Sequence, residues 1–159
     1  MDRRVTIVLG SDHAGYRVKE YIKRLLSEMS YEFEDVGTFS EESVDYPDYA
    51  EKVGLLVREG KNKMGILACA TGMGASIAAN KIPGIRAALV IDERTARLSR
   101  EHNDANILVV GGRPFDKRNV KGIVKAWLES EFQGDRHQRR VDKISRLESK
   151  YLEPPHGER

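Results

Sequence analysis

Short apolar runs alternate with amphipathic stretches along nearly all of this 159-residue sequence, and that alternation limits the fold more than any other feature. Val5 to Leu9 reads as a strand, followed by the turn Gly10-Ser11-Asp12-His13-Ala14-Gly15. Val18, Tyr21, Ile22, Leu25 and Leu26 then recur at helical spacing. Glu32 to Val36 is a weaker, more polar strand suited to a sheet edge. Gly37 to Pro47 reads as a loop, with Asp48 as the cap of a helix that buries Ala50, Val53, Leu56 and Val57. Ile66 to Ala68 forms a third strand, and a helix starts over Ala75 to Asn80. Ile85 to Ile91 gives a fourth strand, followed by a helix from about Glu93 to Glu101. Ile107 to Val110 gives a fifth, ending in Gly111-Gly112-Arg113-Pro114, after which Ile123, Val124, Trp127 and Leu128 mark one helix face.

Five strands alternating with helices imply a parallel sheet covered on both sides, a three-layer Rossmann-like α/β fold. Ligands in such folds bind beyond the carboxyl ends of the strands. The turns after Leu9, Ala68 and Val110 therefore share one rim, which gathers Asp12, His13, Cys69 and Arg113. Beyond Gly134 the pattern changes: Val141, Ile144, Leu147 and Tyr151 form a narrow apolar seam. Such a seam suits a C-terminal helix packing on a partner subunit; the alternative is a helix folded back on its own domain. Residues 1–150 then form a single domain, about 136–150 its dimerisation helix, and 151–159 a tail, frayed from Pro154 onward.

Composition narrows the classes of function. Charged residues make up 33% and apolar residues 40%, as in a soluble globular domain. A net charge of +2, with both signs mixed along the chain, gives no electrostatic footprint for nucleic acid. No stretch approaches the ~18 apolar residues of a membrane span. The first apolar run is too soon interrupted by Asp12 and His13 for a signal sequence. The lone Cys69 cannot form an internal disulfide, which fits a reducing cytoplasm.

Cys69 stands where an apolar strand meets the turn Ala70-Thr71-Gly72-Met73-Gly74. Small residues there let a ligand approach backbone N–H groups, which bind anions and favour negative charge on a sulfur. A buried structural thiol is the ordinary alternative, and the glycine-rich turn weighs toward function. Two nucleotide motifs fail. Gly10 and Gly15 have P-loop spacing, yet Tyr16 and Arg17 stand where Lys and Ser/Thr are required, and the third glycine of a dinucleotide fingerprint would fall at Ile77. A phosphatase loop would need arginine at Ala75. Asp12 could simply cap the next helix, His102 suits a helix C-terminus and Asn103 a turn. Arg136 and Arg140 share a helix face, as solvated arginines or as a phosphate clamp. Zinc-ligand spacings are lacking, so neither metal nor cofactor is expected.

Together these stretches resemble the type B ribose 5-phosphate isomerase family, which includes galactose 6-phosphate isomerase subunits. The similarity lies in Gly10 to Gly15, Ser43-Val44-Asp45-Tyr46-Pro47, Gly65 to Lys81, Gly84-Ile85-Arg86-Ala87, Ser99-Arg100-Glu101-His102-Asn103 and Gly134 to Val141. The resemblance implies an aldose–ketose isomerase of the pentose phosphate pathway that interconverts ribose 5-phosphate and ribulose 5-phosphate through a cis-enediolate. It implies Cys69 as general base, His102 in ring opening with Thr71 assisting, and the amides of Ala70, Thr71, Gly72, Met73 and Gly74 as the enediolate cradle. It further implies Asn103 at the reacting oxygens, Asp12 and His13 as the substrate-binding pair, and Arg113, Arg136 and Arg140 on the sugar phosphate. A homodimer, in some members a tetramer, with residues of both subunits around each site, is also implied. Many members carry glycine where this chain has Ala70, which would be costly at a positive φ and neutral at a negative one. A second branch uses a glutamate further along, and Ala75 and Ser76 offer none. A six-carbon sugar phosphate is the close rival substrate, and a non-catalytic sugar-phosphate sensor the rival of another class.

Overall fold

Side-chain alternation sorts the strands onto two cores. In the computed structural model, which describes residues 5–152, Ile7 and Leu9 of strand β1 (Thr6–Ser11) face one core while Val8 faces the other. The same period of two sends Ile66 and Ala68 of β3 (Lys63–Cys69) to the first core and Leu67 and Cys69 to the second. It sends Leu108 and Val110 of β5 (Ile107–Gly111) to the first, and Ile107 and Val109 to the second. Helices α1 (Tyr16–Glu28), α4 (Glu93–Asn103) and α5 (Lys117–Leu128) cover the first core with Val18, Ile22, Ala96, Ile123 and the buried Trp127. Helices α2 (Tyr46–Glu59) and α3 (Met73–Ala79) cover the second with Ala50, Val53, Ala75 and Ala79. The result is the expected three-layer α/β architecture, with six helices among the described residues. No helix among the described residues is long and apolar enough to cross a membrane.

All pairings are parallel, in the order β2-β1-β3-β5-β4, with β2 (Glu32–Asp35) and β4 (Ala87–Leu89) at the edges. The chain steps outward from β1 in both directions, to β2 on one side and β3 on the other. That places the switch point, the usual ligand crevice of such sheets, between the ends of β1 and β3.

Most boundaries shift by one to three residues from expectation, and three differences have a clear local cause. The fourth strand is three residues long, not seven, because the Ile91 and Asp92 amides donate to Thr95 Oγ1 in the capping box that starts α4. Asp48 does not cap α2: the helix begins at Tyr46, Asp45 is the capping position, and Asp48 lies in the first turn. Residue Asp104, not Asn103, adopts the left-handed conformation that closes α4. At the open edge, the Asn80 side chain meets Ala87 twice: Nδ2 donates to the carbonyl at 2.9 Å and Oδ1 accepts from the amide at 2.9 Å.

Helix α6 (Arg136–Tyr151) is held at its start and again near its end, where the Glu148 carboxylate accepts the Gly84 amide at 2.9 Å. His137 and Val141 are buried, whereas Ile144, Leu147 and Tyr151 are 45%, 57% and 70% exposed. These three side chains line a groove of about 630 Å³ whose other wall includes Ile85 and Ala88. On α3, Met73 and Ile77 are exposed as well. The frayed tail expected from Pro154 onward lies outside the described residues.

Candidate active site

The parallel register brings three loops to one rim. The Asp12 amide donates to the Ala68 carbonyl at 3.3 Å, the Gly112 amide to Cys69 at 2.7 Å, and the Arg113 amide to Ala70 at 3.0 Å. Asp12, His13, the Cys69 loop and Arg113 are therefore assembled by backbone bonds, as the strand order predicts. Asp12 is buried, and one of its oxygens accepts the Gly15 amide at 2.9 Å, so it also serves the start of α1. Its other oxygen accepts no hydrogen bond among the described residues. The His13 ring is held by Val44 of the loop before α2: Nδ1 lies 3.1 Å from the Val44 carbonyl and 3.2 Å from its amide.

Cys69 is 3% exposed, and the Gly72 amide donates to its Sγ at 3.2 Å. Gly72 has φ +85°, and this left-handed residue turns the loop back over the sulfur. The Met73 amide donates to Thr71 Oγ1 at 3.2 Å. The amides of Ala70, Thr71, Gly74 and Ala75 donate to nothing among the described residues. Thus Gly72 and Met73 spend their N–H groups within the loop, and the open donors are those four. Helix α3 has only seven residues, so the loop amides outweigh any helix dipole as an attraction for negative charge. Ala70 is absent from the positive-φ residues, which removes the penalty that alanine would carry there. Tyr46 packs its ring where a Cβ on Gly74 would fall, tying the start of α2 to the cradle.

The remaining predicted residues gather elsewhere. His102 and Asn103 end α4, which runs back from the rim, and β5 starts four residues later. The step from Ile107 to Gly111, opposite Cys69, is about 13 Å of strand. Within one chain His102 and Asn103 therefore lie toward the opposite end of the strands from Cys69. Arg86 Nε fixes that turn by donating to the Asn103 and Asp104 carbonyls at 3.1 and 3.0 Å, and Arg100 pairs with Asp104 at 2.9 Å. Arg136 and Arg140 rise beside it on α6, and neither guanidinium, nor that of Arg113 on the rim, makes a hydrogen bond or ion pair among the described residues.

One residue of this second cluster had no expected role. His137 is buried and stacks on His102, with ring centroids 4.2 Å apart and planes 11° from parallel. Its Nε2 has no partner among the described residues. Burial, followed by the charges of His102, Arg136 and Arg140, holds its imidazole below the ordinary value. The signal in the sequence is the four-residue step from His137 to Val141, which carries the apolar seam one turn toward the start of α6. Among the described residues, no group of three His, Cys, Asp or Glu side chains is placed to hold a metal ion.

A parallel α/β sheet whose switch point presents a thiol beside open amides defines a class of small-molecule sites suited to stabilising an oxyanion. The family model described as Ribose/Galactose Isomerase matches residues 7–144, and the chain belongs to that family. Ribose-5-phosphate isomerase B of Escherichia coli is 46% identical over 144 residues, covering 91% of this chain and 97% of that protein. Among solved structures, ribose-5-phosphate isomerase B of Clostridium thermocellum aligns with a TM-score of 0.90 at 51% identity, covering 92% of this chain and 99% of the other. The Mycoplasma genitalium enzyme, solved with bound ribulose-5-phosphate, aligns with a TM-score of 0.86 at 39% identity, covering 91% and 97%.

Proposed function

We propose that this protein is a cytoplasmic ribose-5-phosphate isomerase acting in the non-oxidative pentose phosphate pathway, with Cys69 as the general base. The observation that carries the reading is the sulfur at the switch point, bordered by four open amides. In the proposed reaction His102, assisted by Thr71, opens the sugar ring and so exposes a carbonyl that acidifies the neighbouring C–H. The Cys69 thiolate takes that proton, and the released electron pair moves onto the carbonyl oxygen, giving a cis-enediolate. Amides of the Ala70–Ala75 segment hold the new negative charge, a form of stabilisation that is often the largest catalytic term. A proton then passes from the 2-hydroxyl to the 1-oxygen, and returning the proton held by Cys69 to carbon 1 as the carbonyl forms at carbon 2 gives the ketose. Asn103 binds the reacting oxygens, Asp12 holds a sugar hydroxyl with His13 beside it as the substrate-binding pair, and Arg113, Arg136 and Arg140 hold the phosphate and fix the reacting carbons over the sulfur.

Because His102 and Asn103 stand apart from Cys69 in one chain, the reading includes a homodimer in which each site takes these residues, with Arg136 and Arg140, from a second copy. The exposed seam of Ile144, Leu147 and Tyr151 and the exposed Met73 and Ile77 support such an assembly. The test is incubation with ribose 5-phosphate in deuterated water, followed by NMR. Wild-type protein forms ribulose 5-phosphate carrying solvent deuterium, and Cys69→Ala slows this about 10³-fold while the substrate still binds. An unchanged rate in Cys69→Ala removes the proposed base, and binding without turnover in the wild type makes the protein a sensor.

A further inference from the structure

A second cleft on the rim, of about 260 Å³, is lined by His13, Arg17, Glu41, Gly112, Arg113 and Phe115 among others. Two of its cations differ in state. The Arg113 side chain has no ion-pair partner among the described residues, whereas Arg17 is already engaged: its Nε donates to Glu41 Oε1 at 2.8 Å and its Nη2 to Oε2 at 3.4 Å. One edge of the guanidinium thus meets both carboxylate oxygens, an arrangement that phosphate oxygens can also adopt. Both partners are solvent-exposed, at 75% and 56% of their side chains, so the pair is held weakly and exchange costs little. Glu41 lies on the same β2–α2 loop whose Val44 holds the His13 ring.

We propose that Glu41 is an internal competitor for the phosphate end of this site: its carboxylate occupies Arg17 until a phosphate dianion takes its place. Arg17 then joins Arg113 on the phosphate, beside His13, and the Arg17–Glu41 pair sets how tightly phosphate-bearing ligands are held. The inference rests on the isomerase reading for its substrate, while the chemistry it names is common to sugar phosphates and free phosphate.

The test measures two quantities on the full chain: binding of inorganic phosphate by calorimetry, and KM for ribose 5-phosphate. Glu41→Gln is expected to tighten both by between about threefold and about tenfold, and Arg17→Met to weaken both by a similar factor. In the double variant, Glu41→Gln no longer tightens anything, because the group it competed for is gone. Glu42→Gln removes the same charge from the adjacent position and is expected to change neither quantity. The proposal is overturned if Glu41→Gln leaves both unchanged, if Glu42→Gln matches it, or if its effect persists without Arg17. Absence of turnover with phosphate binding still governed by Glu41 would sink the isomerase reading and leave this one standing.

Discussion

The two ends of the sheet hold their chemistry in different ways. At the rim, Asp12, Cys69 and Arg113 sit on loops locked to one another by backbone bonds, and the first two are buried. At the opposite end, His102 and Asn103 are the last residues of α4, while Arg136 and Arg140 stand exposed on α6, whose distal apolar side chains are uncovered. The first cluster is organised by the fold of one chain. The second is organised locally but has no cleft of its own chain's making around the thiol. On the proposed homodimer reading, the two clusters are complementary halves of one site, each supplied by a different copy.

Mixing inactive chains breaks or sharpens that division most strongly. Cys69→Ala and His102→Asn chains are each expected to be nearly inactive, and subunit exchange between them should restore about a quarter of the wild-type sites if each site draws on two copies. No recovery would return both residues to a single chain's site. A smaller effect concerns the His102–His137 stack. Because folded His137 binds its proton below the ordinary value of 6.5, the folded chain holds fewer protons than the unfolded one between the two values, and stability rises with pH there. Acidification through that window should loosen the start of α6 from α4, seen as faster hydrogen exchange over α6. His137→Gln should flatten the dependence, and an NMR titration placing His137 above 6.5 would refute it. The smallest effect is at the rim: Ala70→Gly should change turnover less than about twofold and cost up to about 1 kcal/mol in thermal unfolding, since Ala70 needs no left-handed backbone.

Much of the rim is legible in the sequence because parallel strands put their carboxyl ends together whatever their order. Val5 to Leu9, Ile66 to Ala68 and Ile107 to Val110 are unbroken apolar runs, and the residues after each fall on one edge by necessity. Strand β4 is less legible because its flanking isoleucines serve other ends: Ile85 is buried in a turn and Ile91 is exposed where the chain enters α4. The separation of His102 from Cys69 follows only once the direction of α4 is traced from rim to base. His137 is the least legible residue: its four-residue step to Val141 places it on the apolar side of α6, but its stack on His102 depends on α6 returning to α4. The occupied amides of Gly72 and Met73 likewise depend on side-chain partners that spacing alone does not reveal.

Asn80 carries a consequence for life in a crowded solution. Strand β4 ends the sheet, and an unanswered strand edge invites identical molecules to add themselves one after another. By satisfying both outward groups of Ala87 with one carboxamide, the chain shortens that route using a residue of its own, so that within β4 only Leu89 still turns its peptide groups outward. A shorter run of open peptide groups, which are alike in every protein, gives more weight to side chains, whose shapes distinguish one partner from another.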